Sequence, residues 1–141
     1  MEDSRVSRRA DPFAPPARTR AAVANTLLWV LEPLESDPGY ARRRIFGSEA
    51  AYLDGQLCLT VSDRDPPWSG LLVCTEHAHH ASLAAAYPAL RPHPVLGKWL
   101  YLPQDHEDFE STAARLVAAV RARDPRIGVA PGAGRSRKRP A

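Results

Sequence analysis

The chain has 141 residues, of which 44% are hydrophobic and 25% charged, a composition that fits one globular domain with a modest core. No apolar run in the sequence approaches the roughly 20 residues that a membrane-spanning helix needs, and the polar, proline-containing N-terminus is unlike a signal peptide. We therefore expect a cytoplasmic protein without membrane contact. Cys58 and Cys74 both fall in predicted strands, which favours buried thiols in a reducing compartment over a disulfide.

The formal charge of +3 is unevenly distributed along the chain. Residues 1–20 carry five Arg against three acids, and residues 130–141 carry four basic residues and no acid, whereas residues 21–129 carry ten basic and thirteen acidic side chains. Residues 1–20 also have too few apolar side chains to offset the entropy of ordering them. We predict a disordered arm over 1–20, one domain over 21–129 and a flexible basic tail over 130–141.

The first predicted elements along the chain are a helix and a strand segment that has two interpretations. Apolar residues recur on one helical face from Ala21, and Pro33 should end this helix at Glu32. The segment from Tyr40 to Gly47 indicates either a separate strand or the leading part of the hairpin that follows.

A hairpin is the most specific local prediction. Asp54-Gly55 lies between alternating apolar residues and is typical of a two-residue type I′ turn. An uninterrupted ladder from this turn pairs Tyr52 with Leu57 and Ala50 with Leu59. It predicts one core-facing side made of Tyr52, Leu57, Leu59 and Val61.

The second half predicts a buried strand over Gly70–Thr75, a helix over Glu76–Tyr87 and a strand over Lys98–Leu102. A final helix is indicated by an apolar stripe made of Phe109, Ala113, Leu116, Val117 and Val120. The predicted fold class is α+β, a single antiparallel sheet packed by helices, in the order helix, two or three strands, helix, strand, helix.

Two short motifs carry a family resemblance. Arg-Arg-Ile-Phe-Gly (43–47) and Ala-Tyr-Leu-Asp-Gly (51–55), after a helix and a proline, resemble the opening of the N-terminal domain of TfoX-type proteins. The second half, with its Pro-rich loop and Lys98-Trp99 strand, is similar to the MmcQ/YjbR-like proteins. The resemblance implies a compact α+β fold, a regulatory or interaction role connected with competence, and DNA contact. It transfers no catalytic residue.

The densest group of potential metal ligands is Cys74, His77 and His80, which we consider together with His93 or Cys58 as a fourth ligand. On a helix His77 and His80 are neighbours, so a site of soft nitrogen and sulfur ligands is one interpretation. The alternative is a set of exposed or core histidines near a helix start, because the spacing matches no established zinc motif.

Two basic clusters are candidates for nucleic-acid binding. Arg42, Arg43 and Arg44 place charge on both faces of a strand, which suits either phosphate contact or protection of a sheet edge. The tail residues Arg135, Arg137, Lys138 and Arg139 suit either a polyanion or protein partner or simple solubility.

A pocket is the last candidate site. Trp68, Trp99, Tyr101 and His93 lie near proline-rich loops and either line an opening near the strand ends or complete a small core. The sequence has no Gly-x-Ser-x-Gly elbow and no phosphate-cradling Gly-rich loop, so it indicates neither catalysis nor a cofactor. We expect a non-catalytic regulatory or interaction module, and as the alternative a metal- or small-ligand-binding protein that uses the His77–His80 region.

Overall fold

The structure is a computed structural model, and it describes residues 25–45 and 47–131. These residues form one antiparallel sheet packed by helices, which confirms the predicted α+β class. The predicted arm over 1–20 lies outside the described residues, as do residues 132–141 of the predicted tail. Within the two described ranges, no helix is long and apolar enough to cross a membrane.

Four helical segments and six strands follow one another along the described chain. A 3₁₀ helix spans Leu28–Leu34, a short 3₁₀ turn spans His77–His79, and the helices α1 and α2 span His80–Ala86 and Phe109–Arg121. The strands are β1 (Tyr40–Ile45), β2 (Ser48–Leu53), β3 (Gln56–Asp63), β4 (Ser69–Val73), β5 (Arg91–Pro92) and β6 (Leu100–Pro103). Their order in the sheet is β1-β2-β3-β4-β6-β5, and every neighbouring pair is antiparallel.

Strands are more numerous than the sequence predicted, since four of them, rather than two or three, precede α1. The segment Tyr40–Ile45 is a strand in its own right because it pairs along the whole length of β2. Ser69–Val73 corresponds to the buried strand predicted over Gly70–Thr75, and it is the fourth strand, beside β3. The two-residue β5 lies at the other edge of the sheet, where Pro92 is tolerated because an outer strand leaves some N–H groups unpaired.

The hairpin has the predicted turn but a different register. Asp54 and Gly55 both have positive φ, at 53° and 83°, as a type I′ turn requires. Tyr52 pairs with Leu57 as predicted. Beyond that pair the ladder is interrupted, because β3 contains one extra residue, Cys58, which forms a β-bulge.

The prediction that four hairpin side chains share one face is therefore wrong. Leu59 and Val61 lie in the main core, on the side of the sheet that the helices cover, which we call the helix-covered face. Leu57 lies in a smaller cluster, with Tyr52 packed against it. This cluster belongs to the opposite side, which we call the open face.

The first helix extends beyond its predicted end. Its predicted start at Ala21 is outside the described residues, but the described residues 25–27 are not helical, so the predicted helix is wrong there and the observed 3₁₀ helix begins at Leu28. It ends at Leu34, past Pro33, instead of stopping at Glu32. Pro33 lacks an N–H and so removes one hydrogen bond from the helix. Leu34 is completely buried, and we attribute the extension by two residues to this burial against the core.

The main core lies between the helix-covered face and the helices. Leu59 of β3 and Leu116 of α2 are completely buried, as the hairpin and the helical stripe each predicted. The other four residues of that stripe are also buried, namely Phe109, Ala113, Val117 and Val120. From α1 and the residue after it, Leu83 and Tyr87 join the same core.

Candidate binding cavity

The open face of the sheet carries a cavity of about 350 Å³ with an almost entirely apolar surface. Its floor is formed by side chains from four adjacent strands. Thr60 of β3 and Leu72 of β4 are direct partners across the ladder and are 3% and 8% exposed. Ser48 of β2 and Ile45 of β1 are direct partners one step further along the sheet.

The bulge determines which side chains reach this floor. Without it, Leu59 would pair with Ala50, which lies on the open face. With Cys58 inserted, Thr60 takes that position and Leu59 joins the core instead. The cavity and the main core therefore depend on the same irregularity in β3.

Two loops form the walls of the cavity. Trp68 lies in the loop before β4, while Leu96 and Trp99 lie in the loop before β6. Each loop is closed by backbone hydrogen bonds, from Trp68 N–H to the Asp65 carbonyl at 2.9 Å and from Trp99 N–H to the Leu96 carbonyl at 2.8 Å.

His93 joins these two loops from a completely enclosed position, with 1% of its surface exposed. Its Nδ1 accepts hydrogen bonds from the backbone N–H groups of Val95 and Leu96, at 3.0 and 2.9 Å. Its Nε2 lies 2.7 Å from the Pro67 carbonyl, so the ring donates its proton there. Both ring nitrogens are therefore used to hold the loops in place.

An aromatic row extends from the cavity wall across the open face. The His93 ring lies 4.6 Å from the Trp68 ring and 5.1 Å from the Tyr101 ring, measured between centroids. Tyr101 donates its hydroxyl to the Ser69 carbonyl at 2.8 Å. These contacts fix Trp68 from behind, which preorganises the wall.

Among the residues that the structure describes, one charged side chain lies at the rim. Arg64 is exposed, and its guanidinium carbon lies 5.9 Å from the centroid of the Trp68 ring. Gly47 has a φ of +77°, and a Cβ added there would collide with Arg64 Nη1. The guanidinium thus lies between the turn after β1 and the tryptophan wall.

The sequence-predicted pocket residues are divided between the cavity and its support. Trp68 and Trp99 line the cavity, whereas Tyr101 and His93 lie behind the wall. The floor was not predicted from the sequence, because the positions of Thr60 and Leu72 follow from the bulge in β3. No local signal in the sequence around Cys58 marks that bulge.

The four proposed metal ligands are not assembled into a common site. The rings of His77 and His80 lie 4.9 Å apart, but His80 Nε2 contacts the Lys98 carbonyl at 2.7 Å and His93 is occupied by the loops. Burial raises the pKa of the Cys74 thiol well above its ordinary value, which disfavours the thiolate that binds metal. Within residues 25–45 and 47–131, no three His, Cys, Asp or Glu side chains are grouped to hold a metal ion.

The arginine cluster lies on the β1 edge of the sheet. Arg42 and Arg44 form ion pairs with Glu49, at 3.5 and 3.1 Å, and the Glu49 side chain is only 12% exposed. Arg43 points to the other face, with its guanidinium carbon 5.7 Å from the Tyr52 centroid. The tail residues Arg135, Arg137, Lys138 and Arg139 lie outside the described residues.

No protein-family model matches this chain, and neither a curated protein nor a solved structure matches it. The resemblance to TfoX-type and MmcQ/YjbR-like proteins accordingly remains a prediction from the sequence motifs.

Proposed function

We propose that this protein is a non-catalytic binding module that takes a small, largely apolar molecule into the cavity on its open face. The observation that supports this most strongly is the cavity itself, about 350 Å³ in volume and walled by Trp68 and Trp99. Binding sites for small molecules are typically concave, apolar and aromatic-lined, with volumes of about 300–1,000 Å³.

The rigidity of the walls supports binding of a ligand without a large loss of entropy. His93 connects the backbone of both loops and is completely enclosed, so the wall is ordered before a ligand arrives. Association then does not have to order these loops, and more of the contact energy remains as affinity.

The chemistry of the lining supports binding rather than catalysis. Its polar side chains are the hydroxyls of Ser48 and Thr60 and the guanidinium of Arg64. His93 is the nearby imidazole, and both of its nitrogens bind backbone groups. A general base needs a free acceptor within reach of its substrate, which the described residues of the lining do not provide.

The regulatory role implied by the sequence resemblance is part of the proposal, since a module of this kind acts through what it binds. The described residues add no support for DNA contact. Arg42 and Arg44 are paired with Glu49, and the domain carries more acidic than basic side chains.

The three tryptophans allow a direct test. Trp68 and Trp99 line the cavity, whereas Trp29 packs edge-on against Phe109 of α2 on the helix-covered side. Titration with indole or naphthalene, followed by ¹H–¹⁵N NMR, should shift the indole N–H signals of Trp68 and Trp99 and leave that of Trp29 in place. Burial of roughly 150 Å² of aromatic surface contributes at most roughly 4 kcal/mol, so half-saturation is expected at millimolar concentration or above.

A blocked variant and a matched control complete this experiment. Ser48→Phe fills the floor and should abolish the shifts, whereas Ser111→Phe places the same side chain on the exposed surface of α2 and should not. Leu96→Ala removes part of a wall that is already 38% exposed and should weaken binding without unfolding the protein. Shifts of all three indole signals, or of none, would contradict the proposed function.

A further inference from the structure

We propose that the ligand of this cavity is a small apolar ring that carries one hydroxyl group, and that Thr60 on the floor of the cavity binds this hydroxyl. This inference rests on the proposed function, because it assigns a chemical class to the molecule that the cavity takes in. It adds one specific hydrogen bond and names the residue that makes it.

Thr60 is a polar residue in the middle of an apolar floor. It is 3% exposed, and its direct partners on the two neighbouring strands, Ala50 of β2 and Leu72 of β4, are also buried. Neither of these side chains can form a hydrogen bond with a hydroxyl. The sheet therefore surrounds the Thr60 hydroxyl with apolar groups, and the cavity is the open space beside it.

The Thr60 hydroxyl has no partner within residues 25–45 and 47–131. No side chain or backbone group there forms a hydrogen bond with it, whereas the equally buried hydroxyl of Thr75 donates to the Arg126 carbonyl at 2.6 Å. Its oxygen is not sealed off in the way that the Tyr40 hydroxyl is, so a ligand can reach it from the cavity. Buried hydroxyls in proteins are generally hydrogen-bonded, and an unpaired one on a cavity floor marks the place for a polar atom of the ligand.

A second hydroxyl lies at the same end of the cavity. Ser48 also lines the cavity, and it lies two positions before Ala50, the direct partner of Thr60. Ser48 is therefore the diagonal neighbour of Thr60 on the same face of the sheet, roughly 7–8 Å away. A hydroxyl on the ligand both donates and accepts, so it suits a floor with two hydroxyls better than a ketone or an ether, which only accepts.

The remaining lining favours an apolar ring for the rest of the ligand. The cavity is bounded beside and above these hydroxyls by Ile45, Leu72, Leu96 and Trp99. A second polar group placed among these side chains would lose its hydration without gaining a hydrogen bond. One hydroxyl on an apolar ring therefore matches both parts of the cavity.

The test compares phenol with toluene, which has nearly the same shape but carries a methyl group in place of the hydroxyl. Each is titrated into the folded full-length protein at neutral pH, and the indole N–H signal of Trp99 reports binding by ¹H–¹⁵N NMR. Thr60→Val keeps the size of the side chain and removes its hydroxyl. It should weaken phenol binding about three- to tenfold, or roughly 0.6–1.4 kcal/mol for one hydrogen bond, and leave toluene binding equal or stronger.

Two further variants control for effects on the fold. Thr60→Ser retains a hydroxyl at the same position and should retain most of the phenol affinity. Thr112→Val makes the same chemical change at another buried threonine, which is 6% exposed and lies on α2 outside the cavity. This variant should leave the affinities for phenol and toluene unchanged.

Each other outcome has a defined meaning. If Thr60→Val changes neither affinity, the assignment of a hydroxylated ligand is overturned and the proposed function stands. If Thr60→Val weakens phenol and toluene equally, Thr60 only shapes the cavity, and the assignment is again overturned. Failure of both probes to bind the unsubstituted protein contradicts the proposed function itself.

Discussion

Leu57 and Leu59 lie two positions apart in β3, yet they face opposite sides of the sheet because Cys58 between them is a β-bulge. In a regular strand two such residues would share a face. Leu59 here packs in the core beneath the helices, whereas Leu57 belongs to the open face that also carries the cavity. A single extra residue thus separates the structural side of the sheet from the side to which we assign the function.

Truncation of the core side chains tests this division. Leu59→Ala and Leu116→Ala should each lower the free energy of unfolding by roughly 2–5 kcal/mol, because both side chains are completely buried. Val95→Ala, at a side chain that is 63% exposed, should change it by less than about 0.5 kcal/mol. Chemical denaturation measures all three, and an unchanged midpoint for Leu59→Ala would show that this residue is not in the core.

Sequence patterns were sufficient for the parts of the fold that depend on local chemistry. The Asp54-Gly55 turn follows from the need for positive φ at both positions, and the stripe of α2 follows from helical periodicity. The bulge at Cys58 depends on how β3 packs between its neighbours, so the assignment of Leu57 and Tyr52 to the core side failed. The extension of the first helix through Pro33 to Leu34 likewise follows from tertiary burial of Leu34.

The candidate site was predictable only in part. Trp68 and Trp99 were predicted as pocket residues because they are aromatic and lie near proline-rich loops. Both line the cavity. Thr60 and Leu72 join them through the pairing of β3 with β4, which the sequence alone does not show. The role of His93 was also hidden, since a histidine that binds three backbone groups has the same sequence signature as one that binds a metal.

Replacement of His93 should loosen the cavity. His93→Leu leaves the N–H groups of Val95 and Leu96 and the carbonyl of Pro67 without this partner, and each such group that stays unpaired costs roughly 1–3 kcal/mol. His93→Asn retains an acceptor for the nearby N–H groups but cannot span to Pro67, so its loss of stability should be smaller. Thermal unfolding compares the two, and equal stability of His93→Leu and the unsubstituted protein would contradict the bracing role.

An ion pair across the fold should make stability depend on acid pH. Arg123 Nη1 and Nη2 donate to the two carboxylate oxygens of Asp37, at 2.6 and 3.0 Å, and its Nε donates to Asp54 at 3.0 Å. The Arg123 hydrogen bonds, followed by one from the Gly39 backbone N–H, lower the pKa of Asp37 from 3.8 to about 2. A lowered pKa stabilises the fold above the unfolded value, and this contribution is lost as pH falls from about 4 to about 2.

Removal of the guanidinium identifies this contribution. Arg123→Gln should be less stable than the unsubstituted protein at neutral pH, and the difference should narrow towards pH 2 and in high salt because the pair is partly exposed. Arg91→Gln, which removes an equal charge from the β5 edge, is the control. A stability difference for Arg123→Gln that is constant across this pH range would contradict the assigned pair.

Any affinity for DNA should come from the basic tail. Four basic residues lie in 132–141, so binding should be independent of sequence, with a salt slope of at most about −3.6 from about 0.9 per neutralised phosphate. A form lacking residues 132–141 should lose most of this affinity, whereas Arg44→Gln, which leaves Arg42 to pair with Glu49, should not. Fluorescence anisotropy measures both, and sequence-selective binding by the tail-less form would contradict this prediction.

The most direct test of the central claim is a crystal structure under xenon pressure, because xenon enters dry apolar cavities and is located by its anomalous scattering. We expect a xenon atom on the open face, in contact with Leu72, Trp68 and Trp99. A structure in which side chains or ordered waters fill this space, with no xenon bound there, would contradict the claim that the open face holds a preformed apolar binding cavity.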